Sequence, residues 1–184
     1  MSNQPYTKLA ERAAGIEMLL LDVDGVMTDG LITLDNNGIE SKSFHVRDGM
    51  GITLWNKAGK NTAIITGRNS SVVELRAQEL GITCIRQGIE NKLMEMTSLL
   101  PEFQITTDQV CYIGDDIPDL PVLEKVGLSV AVADSSPAIH HSVDWLTQNP
   151  GGRGAVREVI DFILQVQGHD LTTLYSCDQS QPIS

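Results

Sequence analysis

"MLLLDVD", residues 18–24, decides how the chain reads. Four apolar residues follow one another without alternation and run into two carboxylates, Asp22 and Asp24. A continuous apolar run of this length suits a strand buried on both faces of a parallel sheet. Four more runs read the same way: "NTAIITG" (61–67), "ITCIRQG" (82–88), "VCYIGDD" (110–116) and "LSVAVAD" (128–134). Helical patterns lie between most of them. Residues 69–81 place Ser71 and Glu74 at capping-box spacing and end at Gly81. Residues 91–100 stop before Pro101, and 119–127 end at Gly127. A last pattern, 154–168, carries an apolar stripe through Val156, Val159, Ile160, Ile163 and Leu164. The alternation predicts an α/β fold: a doubly wound, Rossmann-like parallel sheet with right-handed crossovers.

Residues 31–47 break the rhythm. Apolar and polar residues alternate on both sides of "DNNG", which predicts a β-hairpin inserted directly after the first strand. One domain is expected over residues 1–168. Residues 169–184 are polar and without period, and are expected to form a flexible tail. No internal repeat is present.

The composition narrows the partners. The chain has 184 residues, enough for one domain with a sizeable core, and is 41% hydrophobic and 20% charged. Its net charge of −11 disfavours nucleic acid and anionic membrane. No apolar run is long enough to span a bilayer. The first residues lack a basic stretch followed by an apolar one, so the cytoplasm is the expected location. Cys84, Cys111 and Cys177 are far apart with no CxxC, which predicts free thiols rather than bridges or a metal site. The negative field also repels a phosphorylated metabolite. An enzyme for such a substrate needs a metal cation and a few local Lys or Arg residues.

Open α/β sheets bind ligands outside the carboxyl ends of their strands. Asp22 and Asp24 end the first strand, Thr66 in "ITGR" ends the second, and Asp115 and Asp116 in "GDD" end the fourth. Lys92 begins the helix after the third. Together they suit phosphoryl transfer. A carboxylate such as Asp22 can attack phosphorus and form an acyl phosphate. Asp24, two residues on, falls on the same side of an extended chain and can serve as acid and then base. A hard cation held by Asp22 and Asp115 would remove the repulsion between carboxylates and phosphate. Thr66 and Lys92 would hold phosphoryl oxygens. Arg68 and Arg86 also fall near strand ends.

"DVDGV", "ITGR", the isolated Lys92 and "GDDIPD" resemble the four motifs of the haloacid dehalogenase-like phosphatases, over about residues 16–167. The resemblance implies that Asp22 is the nucleophile and Asp24 the general acid/base. It implies Mg2+ bound by the Asp22 carboxylate, the Asp24 backbone carbonyl and Asp115, with Asp116 or Asp119 acting from behind the ligands. Members with large cap domains carry long insertions that this chain lacks, so it is nearly capless. Either its substrate is large or another subunit supplies the lid.

"LDVDGVMTDG", "FHVRDGMGI", "AIITGR", "VGLSVAVADSSP" and "GGRGAVREV" resemble a subgroup of that family whose substrate is 3-deoxy-D-manno-octulosonate 8-phosphate, in lipopolysaccharide synthesis. The resemblance implies a phosphorylated sugar acid as substrate and a homotetramer joined through the hairpins. It implies that Arg153 reaches the sugar carboxylate. Arg47 and Asp48 of "VRDG" either bind substrate or start a helix; Arg68 and Arg86 are further candidates for substrate. A nine-carbon sugar-acid phosphate would suit the same mechanism. A non-catalytic assembly module would not need every catalytic position filled. His45, His140, His141 and His169 have no ligand-like spacing, and Trp55 and Trp145 read as packing residues.

Overall fold

The β1 run carries apolar side chains on both faces, and the fold answers with a layer of helices on each. The computed structural model describes residues 4–176. Its elements, in chain order, begin with α1 (Gln4–Ala13), β1 (Met18–Leu21), β2 (Thr33–Leu34), β3 (Glu40–Ser41), α2 (Val46–Lys57) and β4 (Asn61–Ile65). Then come α3 (Ser71–Glu79), β5 (Cys84–Arg86), α4 (Lys92–Phe103), β6 (Val110–Gly114) and α5 (Leu120–Leu123). The chain continues with β7 (Leu128–Ala131), β8 (Trp145–Leu146), α6 (Ala155–Val166) and α7 (Leu171–Ser176).

Six parallel strands form one sheet in the order β5-β4-β1-β6-β7-β8. Side chains alternate across it, as the pleat requires. Leu19 and Leu21 of β1, Ile64 of β4 and Cys111 and Ile113 of β6 join one core with Ile52, Trp55 and the stripe of α6. Met18, Leu20, Ala63, Ile65 and Tyr112 join a second core with Met96, Leu99 and Leu100 of α4 and Val122 of α5. All of these β1 leucines are fully buried. Truncating one to alanine would cost about 2–5 kcal/mol.

From β1 the chain moves to β4 and β5 on one side, then returns to β6 on the other. The crevice at such a switch point opens outside the strand ends. Register puts Leu21 opposite both Ile64 and Ile113. The residues after these three positions therefore emerge together.

Several local expectations are corrected. Helix α4 runs through Pro101 and ends at Gln104, whose φ is +57. Phe103, two residues beyond the proline, packs on the second core and carries the helix past it. The N-cap of α3 is Ser70, not Ser71. No capping box forms there, because Glu74 accepts from Gln87 and the Ser70 hydroxyl donates to Glu40. The hairpin is shorter than residues 31–47: each strand has two residues, and α2 already starts at Val46. The Asp35 carboxylate closes its turn, accepting from the Asn37 and Ile39 amides at 2.8 and 2.7 Å. Helix α7 occupies residues expected to be tail. Asp170 caps it through the Thr173 amide at 2.8 Å, and Leu171 and Leu174 pack on the first core. Residues 177–184 of the expected tail lie outside the described residues. Cys84 and Cys111 are buried free thiols, and Cys177 also lies outside the described residues. No helix among the described residues is long and apolar enough to cross a membrane.

Candidate active site

The sheet ladder continues one residue past β1: the Asp22 amide donates to the Ile113 carbonyl at 3.2 Å. This fixes Asp22 beside the end of β6, where Gly114 leads into Asp115. The next residues turn sharply. Gly25 has φ +92, and a Cβ there would come within 2.1 Å of an Asp115 carboxylate oxygen. Only glycine lets the Asp115 side chain lie over this turn. Thr28, buried below it, receives the Gly25 and Gly30 amides on its hydroxyl and donates to the Val23 carbonyl. The "NPGG" loop packs against the same turn. A Cβ on Gly151 would sit 1.7 Å from the Gly25 carbonyl oxygen, so that pair of glycines serves close backbone approach.

Asp22, Asp24, Thr66, Gly67, Arg68, Lys92, Asp115, Asp116, Pro118 and Asp119 line one cavity of about 220 Å3. All four strand-end groups expected from the sequence therefore meet. Lys92 is buried, with Nζ 3.0 Å from Asp22 and 2.6 Å from Asp119. Asp119 is saturated. One oxygen accepts from Lys92 and from the Tyr112 hydroxyl, each at 2.6 Å. The other accepts from the Asp115 and Asp116 amides at 2.8 and 3.2 Å. Asp119 thus holds the loop and the lysine in place. Asp116 turns its carboxylate to the Ile117 amide at 2.8 Å and starts the turn that presents Asp119.

The electrostatics fit a cation. Carboxylate oxygens of Asp22, Asp115 and Asp119 lie within 4.8 Å of one another, with Lys92 the cation among them. Burial pushes Asp22 up to about 6, and Asp119 adds to this while Lys92 opposes it. Burial also pushes Asp115 up to about 8, reinforced by Asp22 and Asp119. Burial alone would lower Lys92, but its two carboxylates outweigh burial and raise it. With Asp119 fully hydrogen-bonded, Asp22 and Asp115 have the oxygens left for a hard cation such as Mg2+.

The family model for a haloacid dehalogenase-like hydrolase matches residues 85–160. The 3-deoxy-D-manno-octulosonate 8-phosphate phosphatase KdsC of Escherichia coli (strain K12) is 52% identical over 157 residues, 85% of this chain and 84% of that protein. The chain belongs to the haloacid dehalogenase-like hydrolases. Among solved members, the 3-deoxy-D-manno-octulosonate 8-phosphate phosphatase of Yersinia pestis is 50% identical with a TM-score of 0.86, covering 88% of this chain and 87% of that one. The Moraxella catarrhalis enzyme of the same name, solved with a magnesium ion, a phosphate ion and a KDO molecule, is 37% identical with a TM-score of 0.87, covering 96% and 98%.

The other residues expected at the site of such a hydrolase separate. Thr66 is buried and Arg68 half exposed at the cavity wall. Arg86 points away, held by Glu95 at 3.0 Å and Glu102 at 3.1 Å on α4. Arg47 and Arg153 line a different, larger groove of about 420 Å3 along α6. Arg153 is largely exposed and lies 3.5 Å from Asp29. Asp48 is buried and accepts the Gly154 and Arg157 amides at 3.1 and 2.8 Å, so it caps α6 rather than its own helix. Sequence reading missed Tyr112, Thr28, Glu40, Lys42 and Ser70. Tyr112 reads as a packing residue inside a strand run. Glu40 and Lys42 read as the wet face of a hairpin. No spacing signal distinguishes them.

Proposed function

We propose that this chain hydrolyses 3-deoxy-D-manno-octulosonate 8-phosphate to KDO and phosphate, with Mg2+ as cofactor, in lipopolysaccharide biosynthesis. The observation that carries this reading is the set Asp22, Asp115 and Asp119 gathered around Lys92, in a chain half identical to phosphatases of that name. Mg2+ on Asp22, the Asp24 carbonyl and Asp115 would supply positive charge opposite the phosphate. An Asp22 oxygen attacks phosphorus, and the sugar oxygen leaves with the proton of Asp24. Asp24, now a carboxylate, takes a proton from water as that water attacks the aspartyl phosphate. Phosphate departs and Asp22 is restored. Thr66 and Lys92 hold phosphoryl oxygens, Asp119 and Asp116 keep the loop in place, and Arg68 binds the remainder of the substrate. Arg47 and Arg153 act on the sugar carboxylate in an assembled oligomer.

The hairpin supports an oligomer, a tetramer in this reading. Leu31, Ile32, Leu34, Ile39 and, at the start of α2, Val46 are each at least half exposed, and Val46 reaches 81%. Contiguous apolar exposure of this kind marks interaction surfaces. The single domain over 1–168 would then be the catalytic unit, working in the cytoplasm.

Phosphate release from a panel of sugar phosphates, with Mg2+ and with EDTA, tests the substrate. The eight-carbon acid should give the highest kcat/KM, with activity lost in EDTA; a higher value for a nonulosonate 9-phosphate would replace it. Sedimentation of Leu34→Asp tests the assembly, with a shift toward smaller species expected.

A further inference from the structure

The hairpin stem reaches Asp24, a residue that lines the reaction cavity. Lys42 follows β3, and its side chain is 0% exposed. Its ammonium bonds one carboxylate oxygen of Asp24. Arg68 Nε lies 3.7 Å from the other oxygen. Glu40 of β3 ties both cations down. Its carboxylate accepts Arg68 Nη2 at 3.0 Å, lies 3.5 Å from Lys42 Nζ, and receives the Ser70 hydroxyl. A freely moving flap would leave a lysine in water, because burying one forfeits up to about 2 kcal/mol of side-chain entropy and needs a paired charge.

We infer that Lys42, held by Glu40, is a positioning residue for the Asp24 carboxyl, so the hairpin is part of the catalytic site of its own subunit. The inference rests on reading Asp24 as the acid/base. Asp24 sits on a turn beyond the end of β1, where no ladder bond limits its rotation. An acid must lie within about 2.6–3.2 Å of the oxygen it protonates. A carboxyl bracketed by Lys42 and Arg68 has its orientation set before substrate arrives.

The test compares two leaving groups. A sugar or alkyl phosphate expels an alkoxide, which needs a proton; p-nitrophenyl phosphate expels a phenolate, which does not. The kcat/KM of each reports steps up to departure of the leaving group. In Lys42→Met the alkyl-to-aryl ratio of kcat/KM should fall by about thirtyfold, within the usual share of general-acid catalysis. Lys42→Arg should restore most of the ratio. An unchanged ratio, with either substrate slowed equally or not at all, overturns the inference. Asp24→Asn is the separate control: if it leaves the ratio unchanged, the acid/base reading itself falls. In the metal-free protein, hydrogen exchange of amides 33–42 should quicken in Lys42→Met and Glu40→Gln. Unchanged exchange there would also count against the clamp.

Discussion

Asp22 and Asp24 are two residues apart in the chain and are held by different physics. Asp22 continues the ladder of β1 against β6, is buried, and faces a lysine that is itself pinned by Asp119 and Tyr112. Asp24 is half-buried, and its partners come from the hairpin and from the loop after β4. The first carboxylate is placed by backbone pairing, which fails only when the sheet does. The second is placed by ion pairs between loops: one to the fully buried side chain of Lys42 and a half-exposed one to Arg68, the latter worth about 0–1 kcal/mol. In the proposed mechanism the half fixed by the sheet makes the bond, and the half held by ion pairs between loops handles protons and substrate shape.

The largest effect should come from the half fixed by the sheet. Asp22→Asn removes the proposed nucleophile, and phosphate release should fall at least about a thousandfold. Thermal melts of the metal-free variant should match or exceed the parent, since a buried like charge beside Asp115 and Asp119 is gone. A variant that keeps its turnover would break the assignment.

Lys92→Met leaves Asp22 and Asp119 buried without their cation. Loss of one partner of a buried pair costs about 3–5 kcal/mol, to be read from urea unfolding. A small change would mean that Asp119 is held by Tyr112 and the two backbone amides alone.

The acid trio also predicts a pH dependence. The folded-state pKa values of Asp22 and Asp115, about 6 and about 8, lie above those of the unfolded chain. The folded metal-free protein therefore holds protons that the unfolded chain has already lost. Its stability should fall as pH rises from about 4 to about 8. Mg2+ binds only the folded carboxylates, so the gain in Tm from Mg2+ over EDTA should be larger at pH 8 than at pH 5. A gain that does not change with pH would detach the metal from this trio.

The half held by ion pairs should respond more mildly at its exposed member. Arg68→Ala should raise KM about tenfold, with a stability loss under about 1 kcal/mol, because the side chain is half exposed. The smallest effect is expected at Arg86, whose partners are Glu95 and Glu102. Arg86→Ala should change kcat/KM less than about twofold and stability by about 0.5 kcal/mol. A large KM effect there would return Arg86 to the substrate.

Much of the site was legible because a parallel sheet writes itself as apolar runs and puts its chemistry where they stop. Asp22, Thr66 and Asp115 each follow such a run, and Lys92 begins the helix after another, so order along the chain sufficed to bring them together. Lys42 and Glu40 were not legible. Their neighbours along the chain are those of any wet hairpin, and their partners lie across turns: Asp24 is 18 residues from Lys42, and Arg68 is 28 residues from Glu40. Asp48 was only half legible for a related reason: it lies in the first turn of α2, as one of its two readings had it, but its carboxylate caps α6, more than a hundred residues on. The helix past Pro101 and the helix at Leu171–Ser176 exist because apolar residues found cores that local propensity does not see.

By itself the amino-acid sequence determined the layered α/β fold, the strand ends that carry the carboxylates, and the kind of chemistry they can do, because those follow from short-range periodicity and residue type. Tertiary structure alone decided which of six arginines and lysines near the site face it, which carboxylate is saturated and which is left for a metal, and that the hairpin closes on Asp24. Those outcomes depend on distances between segments far apart in the chain, and no local pattern encodes such a distance.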